Sequence, residues 1–172
     1  MNIFILHLNP RIAAQMSCDR HCVKMILESA QLLCTAIHLN EGVAPYKPTH
    51  VAHPCTIWAA STKDNWLWLK KYALALCAEY TLRYGKKHKC HTLIESLNPD
   101  VIPDGDLTPF AQAMPDEFRR KDGNAVEAYR EYYRHGKNYM NKGKGPQWKK
   151  IPSRKPAWFE PSIRPARLYG FI

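Results

Sequence analysis

His21, Lys24, Glu28 and Gln31 follow one another at alternating spacings of three and four residues, so on a helix they stand in one line that Thr35 extends. At about 100° per residue the five side chains fall within an arc of about 80°. A base, a cation, a carboxylate and an amide held at fixed spacing on a rigid element are what acid-base or Schiff-base chemistry requires, because each shifts the protonation of its neighbour. Val23, Ile26, Ala30, Leu33 and Ile37 lie opposite the line, while Met25, Leu32 and Leu39 border one flank and Leu27 the other. Apolar borders on both sides predict a mostly buried helix with a narrow polar groove. The alternative is a solvated face carrying a Lys24–Glu28 pair worth only about 0.2–0.5 kcal/mol.

A second set of chemistry-bearing residues surrounds Pro54: His50, His53, Cys55 and Trp58, ahead of a helix start suited to an anion. Local hydrogen bonding around a proline turn would place the same residues there. Zinc-ligand types also occur at Cys18, His21, Cys22, His53, Cys55, His88, Cys90 and His91. Their spacings, C-x3-C, H-x-C and H-x-C-H, match no strong zinc signature, so neither a metal nor another cofactor is expected.

The net charge of +10 is unevenly distributed. Residues 1–118 carry 11 Lys and Arg against 11 Asp and Glu, whereas 119–172 carry 14 against 4. The basic third runs through Arg119, Lys149, Lys150, Arg154, Arg164 and Arg167 and interleaves them with tyrosines and with Trp148, Trp158 and Phe159. Cations neutralise phosphates and aromatic faces stack bases, so nucleic acid, DNA ahead of RNA, is the expected partner. A solubilising segment whose aromatics dock onto the domain is the competing reading. The expected substrate-binding set is therefore His50, His53, Trp58, Arg119, Lys149, Lys150, Arg154 and Trp158.

Several elements must position these groups. Asn2–Leu8 reads as a short strand or an extended arm, and Asn9-Pro10 as an N-cap followed by proline in the first turn. Ser17 or Asp19 caps a longer helix whose apolar positions run to Ile37, and Asn40-Glu41-Gly42 stops it. Three prolines make Tyr46–Cys55 an ordered loop. Ser61 with Asp64 resembles a capping box for a helix from Lys63 to Tyr84, ended by Gly85. A short turn follows at Leu93–Leu97, then a helix starting at Thr108-Pro109, then one from about Ala125 to Tyr139 capped by Asn124 and Glu127. Gly and Pro exclude long regular structure after Asn141.

The expected fold is mainly α, with a helical domain over 1–140 and a basic, Pro- and aromatic-rich segment over 141–172 packed on it or extending from it. With 172 residues, 45% of them apolar and 11% aromatic, the chain can bury a core without disulfides or metal. Six cysteines set mostly in helical segments are expected to be reduced thiols. No run of about 18 apolar residues and no basic leader precede or interrupt these elements, so no membrane partner is expected and a cytoplasmic location is. Oligomeric state is not read from the sequence.

The segments CDRHCVKMILESAQLL at 18–33, THVAHPCTIWA at 49–59, EYTLRYGK at 79–86, TPFAQAMPDEF at 108–118 and EAYREYY at 127–133 resemble a family of small tailed-phage proteins with no assigned reaction. A remoter resemblance is to the pyrimidine-dimer DNA glycosylases of the endonuclease V type. It rests on the apolar N-terminal arm, Ala13–Gln15 at the start of the first helix, the histidine-bearing loop, the helix ending CAEYTLRYGK and the aromatic RKPAWF at 154–159. That resemblance implies a mainly helical fold, an N-terminal amine that attacks C1′ to form a Schiff base, and a first-helix glutamate that stabilises it. Here the matching glutamate position falls near Val23 and Lys24, more than a turn before Glu28, and Asn2 is a residue type that leaves the initiator methionine in place. The residues expected to carry the reaction are Lys24 or the amino terminus as nucleophile, Glu28 as stabilising carboxylate, His21 as proton carrier and Gln31 beside them. A non-catalytic DNA- or RNA-binding protein and a nucleotide-modifying enzyme are the alternatives.

Overall fold

Asn9 and Pro10 start α1 (Pro10–Met16) as their types dictate: the Asn9 side chain accepts from the backbone N–H groups of Arg11 and Ile12, and proline occupies the first turn. The computed structural model describes residues 1–159. After α1 come α2 (Asp19–Leu39), α3 (Pro54–Ser61), α4 (Lys63–Tyr84), α5 (His91–Ser96) and α6 (Ala125–Glu131), the last continuing as a wider π turn over Tyr132–Gly136. No strand occurs among the described residues. The mainly α expectation holds.

The two long helices, α2 and α4, pack on each other, with α1 against α4 and α3 wedged between them. Tryptophans join the layers through their indole N–H groups, Trp66 donating to the Leu33 carbonyl at 3.2 Å and Trp68 to that of Leu8 at 2.8 Å. The N-terminal arm is extended and runs through this core, with Ile3, Phe4, Ile5 and Leu6 each at 2% exposure or less. Both faces of the arm are covered, which is why its residues are uniformly apolar rather than alternating. α2 is long and apolar enough to cross a membrane by length and composition, but two-thirds of its most apolar stretch is buried within the domain, as a core helix requires. All six cysteines are buried and unpaired.

Several local expectations are corrected. Cys18, not Ser17 or Asp19, stands at the start of α2 without a side-chain capping bond. Ser17 donates to Ala13, and the Asp19 carboxylate accepts from Arg83 and from the Lys150 N–H. The cap of α4 is Thr62, which accepts from the Asn65 N–H, one residue beyond the expected Ser61. Pro54 opens a helix instead of prolonging the loop, because His53 accepts from the Cys55 N–H and caps it. At the far end of α4, Gly85 adopts φ 68° and returns its N–H to Thr81, a turn that favours glycine.

No helix forms at Thr108-Pro109. The backbone groups that would have made it are engaged elsewhere: the Thr108 N–H donates to Asn65, the Ala111 carbonyl accepts from Tyr129, and Ala113 gives its N–H to Tyr129 and its carbonyl to Asn2. The result is an extended strap over α3 and α6. The expected helix to Tyr139 instead leaves regular geometry at Gly136, where a Cβ would overlap the rings of Tyr132 and Phe118.

Beyond Asn141, Gln147 accepts from the Asp19 N–H at 2.9 Å, Trp148 donates to Met16 at 3.0 Å, and Phe159 is buried. Residues 141–159 are thus stitched to α1 and α2. The remainder of the expected basic segment, with Arg164 and Arg167, lies outside the described residues.

Candidate active site

The stripe on α2 splits between cover and opening. His21, Glu28 and Thr35 are buried, Gln31 is half-buried, and Lys24 is exposed. Glu28 lies where α2 meets the arm. Its Oε2 accepts the Asn2 backbone N–H at 3.0 Å and stands 3.9 Å from the Met1 amine, while its Oε1 lies 3.4 Å from the Lys24 ammonium. Two amines of different kind therefore meet one carboxylate. Met1, Asn2, His21, Lys24 and Glu28 line a cavity of about 360 Å³, closed on its other sides by Phe4, Arg20, Met25, Ala113 and the Tyr132–Met140 segment. That volume falls in the range of small-molecule pockets, large enough for part of a nucleotide.

The arm positions the amine. Asn2 at its start is anchored through its side chain to Ala113 and Tyr129, and Ile3–Leu6 fill the core behind it. α2 positions the carboxylate, because the buried flank that includes Met25, Ile26 and Leu32 holds the helix against its neighbours and turns Glu28 toward the arm.

Three cations border the cavity: Arg20, Lys24 and Lys137. The Lys137 ammonium lies 5.4, 4.5 and 5.5 Å from the ring centroids of Phe4, Tyr132 and Tyr139 and donates to the Tyr139 hydroxyl at 3.1 Å. Burial pulls its pKa down, but the hydrogen bonds of Tyr139 and Tyr132 outweigh that and leave it raised, so the charge is kept. His21 behaves in the opposite way. Burial above all, then Lys137, Lys24 and Arg20, push it from 6.5 down to about 3. Its ring stacks on Phe4 at 4.1 Å and shares a 2.5 Å hydrogen bond with the Tyr133 hydroxyl. At pH 7 it is a neutral ring wedged between Phe4 and Tyr133.

The other expected residues are dispersed. His53 comes close to the site, since the Met1 amine helps depress its pKa after burial, and the Met1 carbonyl, accepting from the ring, works the other way. His50 is exposed in the loop before it and bonds Thr49 at 2.7 Å. Trp58 is buried at 6% exposure against Trp68 and Phe110, so no face of it is open to a base. Gln31 does not border the cavity. Arg119 pairs with Asp116 at 2.9 Å, and Lys149 is exposed. Lys150 lies over the Tyr84 ring at 5.3 Å, and Arg154 is paired with Glu79 at 2.8 Å. Trp158 is half-buried between the guanidinium groups of Arg130 and Arg134, at 5.2 and 5.5 Å. None of these last five lines the cavity.

Sequence reasoning missed Asn2, Arg20, Tyr132, Lys137 and Tyr139. Asn2 had a local signal, as the single polar residue in an otherwise apolar stretch over residues 1–6, and Tyr132, Lys137 and Tyr139 belong to the basic third in which cations alternate with aromatic rings.

Residues 1–92 match a known family by its model, described as pyrimidine dimer DNA glycosylase. The chain belongs to that family. The match takes in the arm, α1 to α4 and the start of α5, and so includes Met1, Glu28 and His53. Tyr129, Tyr132 and Lys137 lie beyond it. No curated protein and no solved structure gives a match. Membership supports DNA glycosylase-like function and DNA as the partner. No group of three or more His, Cys, Asp or Glu that could hold a metal ion occurs among the described residues.

Proposed function

We propose that the protein is a DNA N-glycosylase with Schiff-base chemistry, in which the Met1 amine is the nucleophile and Glu28 the carboxylate that stabilises the cationic intermediate. The observation that carries this reading is the convergence of that amine and Glu28 Oε2, 3.9 Å apart, on a cavity bordered by Arg20, Lys24 and Lys137. Lys24 is the weaker candidate for the nucleophile, because it is 64% exposed, which favours a phosphate-facing role.

The chemistry balances without a cofactor. The unprotonated amine attacks C1′ of a nucleotide extruded into the cavity, the C1′–N glycosidic bond breaks, and the base leaves with the bonding pair and takes up a proton as the attacking nitrogen loses one. The nitrogen lone pair then expels O4′, which is protonated, and C1′ is left as an iminium joined to Met1. A carboxylate at Glu28 stabilises that positive charge in a site partly closed to water. The exposed cations Arg20, Lys24, Lys142 and Lys144 are suited to the backbone of the duplex around it.

Borohydride trapping on ultraviolet-irradiated, abasic and undamaged duplex tests this directly, because reduction of the iminium leaves a permanent protein–DNA band. A band that depends on the lesion, with the adduct mass on the peptide that contains Met1, is the expected result. Salt-sensitive binding without any band would overturn the glycosylase reading in favour of a non-catalytic DNA-binding protein. A thermal shift with nucleotides but none with DNA would point to a nucleotide-modifying enzyme.

A further inference from the structure

Asn2 is the only polar residue among the first six, yet it is buried, and both polar atoms of its side chain are engaged. Its Oδ1 accepts from the Tyr129 hydroxyl at 2.9 Å, from the Ile3 N–H at 2.8 Å and from the Cys55 thiol at 3.7 Å, and its Nδ2 donates to the Ala113 carbonyl at 2.7 Å. With the backbone N–H on Glu28, this one residue ties together α2, α3, α6 and the strap. A carboxamide is needed because the pocket presents donors on one side and a carbonyl on the other. An aspartate would set an oxygen against Ala113, and an apolar residue would leave Tyr129 and Ala113 without this partner.

Met1 is built in as well. Its side chain packs against the core, and its amine faces Glu28. Resting on the amine-nucleophile reading above, we propose that the reacting amine belongs to a retained Met1 and that Asn2 is its positioning residue. The carboxamide clamp fixes the first peptide unit, so the amine has little freedom left except rotation into the cavity. Misplacement of a reacting group by about 1 Å can cost about 10²-fold in rate, the scale on which loss of this clamp acts.

The test uses the full chain with three variants. Asn2→Leu keeps the bulk and, by the preference of methionine excision for small second residues, keeps Met1. Tyr129→Phe removes only the hydroxyl, and so decides the matter if Asn2→Leu does not fold. Lys121→Ala, on an exposed turn away from the cavity, is the control. Intact mass and peptide mapping of the borohydride adduct read which residue carries the amine, and single-turnover trapping against DNA concentration separates rate from affinity.

The expected result is an adduct on the Met1 nitrogen, with about 10- to 100-fold slower trapping in Asn2→Leu and Tyr129→Phe at unchanged DNA affinity and wild-type rate in the control. An adduct on the Asn2 nitrogen, or wild-type trapping rates in both variants, overturns the proposal while leaving the glycosylase reading intact. A parallel loss of affinity and rate overturns it too, since that is what a merely structural role would produce. Failure of the unaltered protein to form any adduct removes the underlying reading and this inference with it.

Discussion

Two carboxylates, Glu28 and Glu79, are both buried among cations, and they differ in how completely they are engaged. Glu79 on α4 is saturated: Arg83 donates to it twice, at 3.2 and 3.0 Å, and Arg154 twice more, at 3.2 and 2.8 Å. Arg83 is equally used, giving its remaining donors to the carbonyls of Ser17 and Gln15 and to Asp19. Glu28 has a single short partner, the Asn2 N–H, and two amines at 3.4 and 3.9 Å, and it faces a cavity. A carboxylate held by four guanidinium hydrogen bonds clips helices together; one left partly engaged beside an amine and an open volume has capacity for a developing positive charge.

The largest effect should come from breaking the unsaturated side. Glu28→Gln keeps size and the Asn2 hydrogen bond but removes the charge, and single-turnover trapping should fall by about 10²- to 10⁴-fold with little change in melting. Equal trapping would show that Glu28 is only a helix-to-arm contact. Arg83→Leu should do the reverse. It takes two of the four donors from Glu79 and leaves the Gln15 and Ser17 carbonyls and Asp19 without theirs, so denaturant unfolding should show a loss of about 3–5 kcal/mol, while the protein that remains folded traps DNA normally.

His21 offers a pH-dependent contrast. Its folded pKa, near 3, lies below the ordinary 6.5, so the unfolded chain takes up the proton first as pH falls. The stability that goes with the neutral ring is complete above about pH 6.5 and drains away as pH drops toward 3, with a ceiling of about 1.4 kcal/mol per pH unit. His21→Asn should flatten that part of the stability curve, and an unchanged slope would assign it to other groups. Lys24→Ala should have the smallest effect. Stability should move by less than about 0.5 kcal/mol, trapping should persist, and the salt dependence of DNA binding should lose about one phosphate contact. Loss of trapping in this variant would move the nucleophile from Met1 to Lys24.

What was legible in the sequence was local. The Asn9-Pro10 start, the span of α4 from Lys63 to Tyr84 and its Gly85 terminus follow from capping chemistry and helix periodicity, which act over a few residues. The polar line His21, Lys24, Glu28 was visible for the same reason. Its division was not: whether a helix face meets water, a core ring or a cavity depends on what packs beside it, and here Phe4 and Tyr133 enclose His21 while Lys24 is left outside.

The tertiary structure alone decided the rest. Arg154 has the residue type of a phosphate ligand, but a buried carboxylate 75 positions away claims it. Trp58 has a stacking ring, but Trp68 and Phe110 cover it. Thr108–Pro109 has a helix start, but side-chain partners from Asn65 and Tyr129 take the backbone groups the helix would have used. Asn2 meets Glu28, Cys55, Ala113 and Tyr129 across separations of 26, 53, 111 and 127 residues. The amino-acid sequence by itself determined the helices and which side chains each could present, because those are short-range properties. The pairing of the Met1 amine with Glu28, and of Arg154 with Glu79, was decided only when the chain closed, because which charge a carboxylate finds is settled by packing between distant segments.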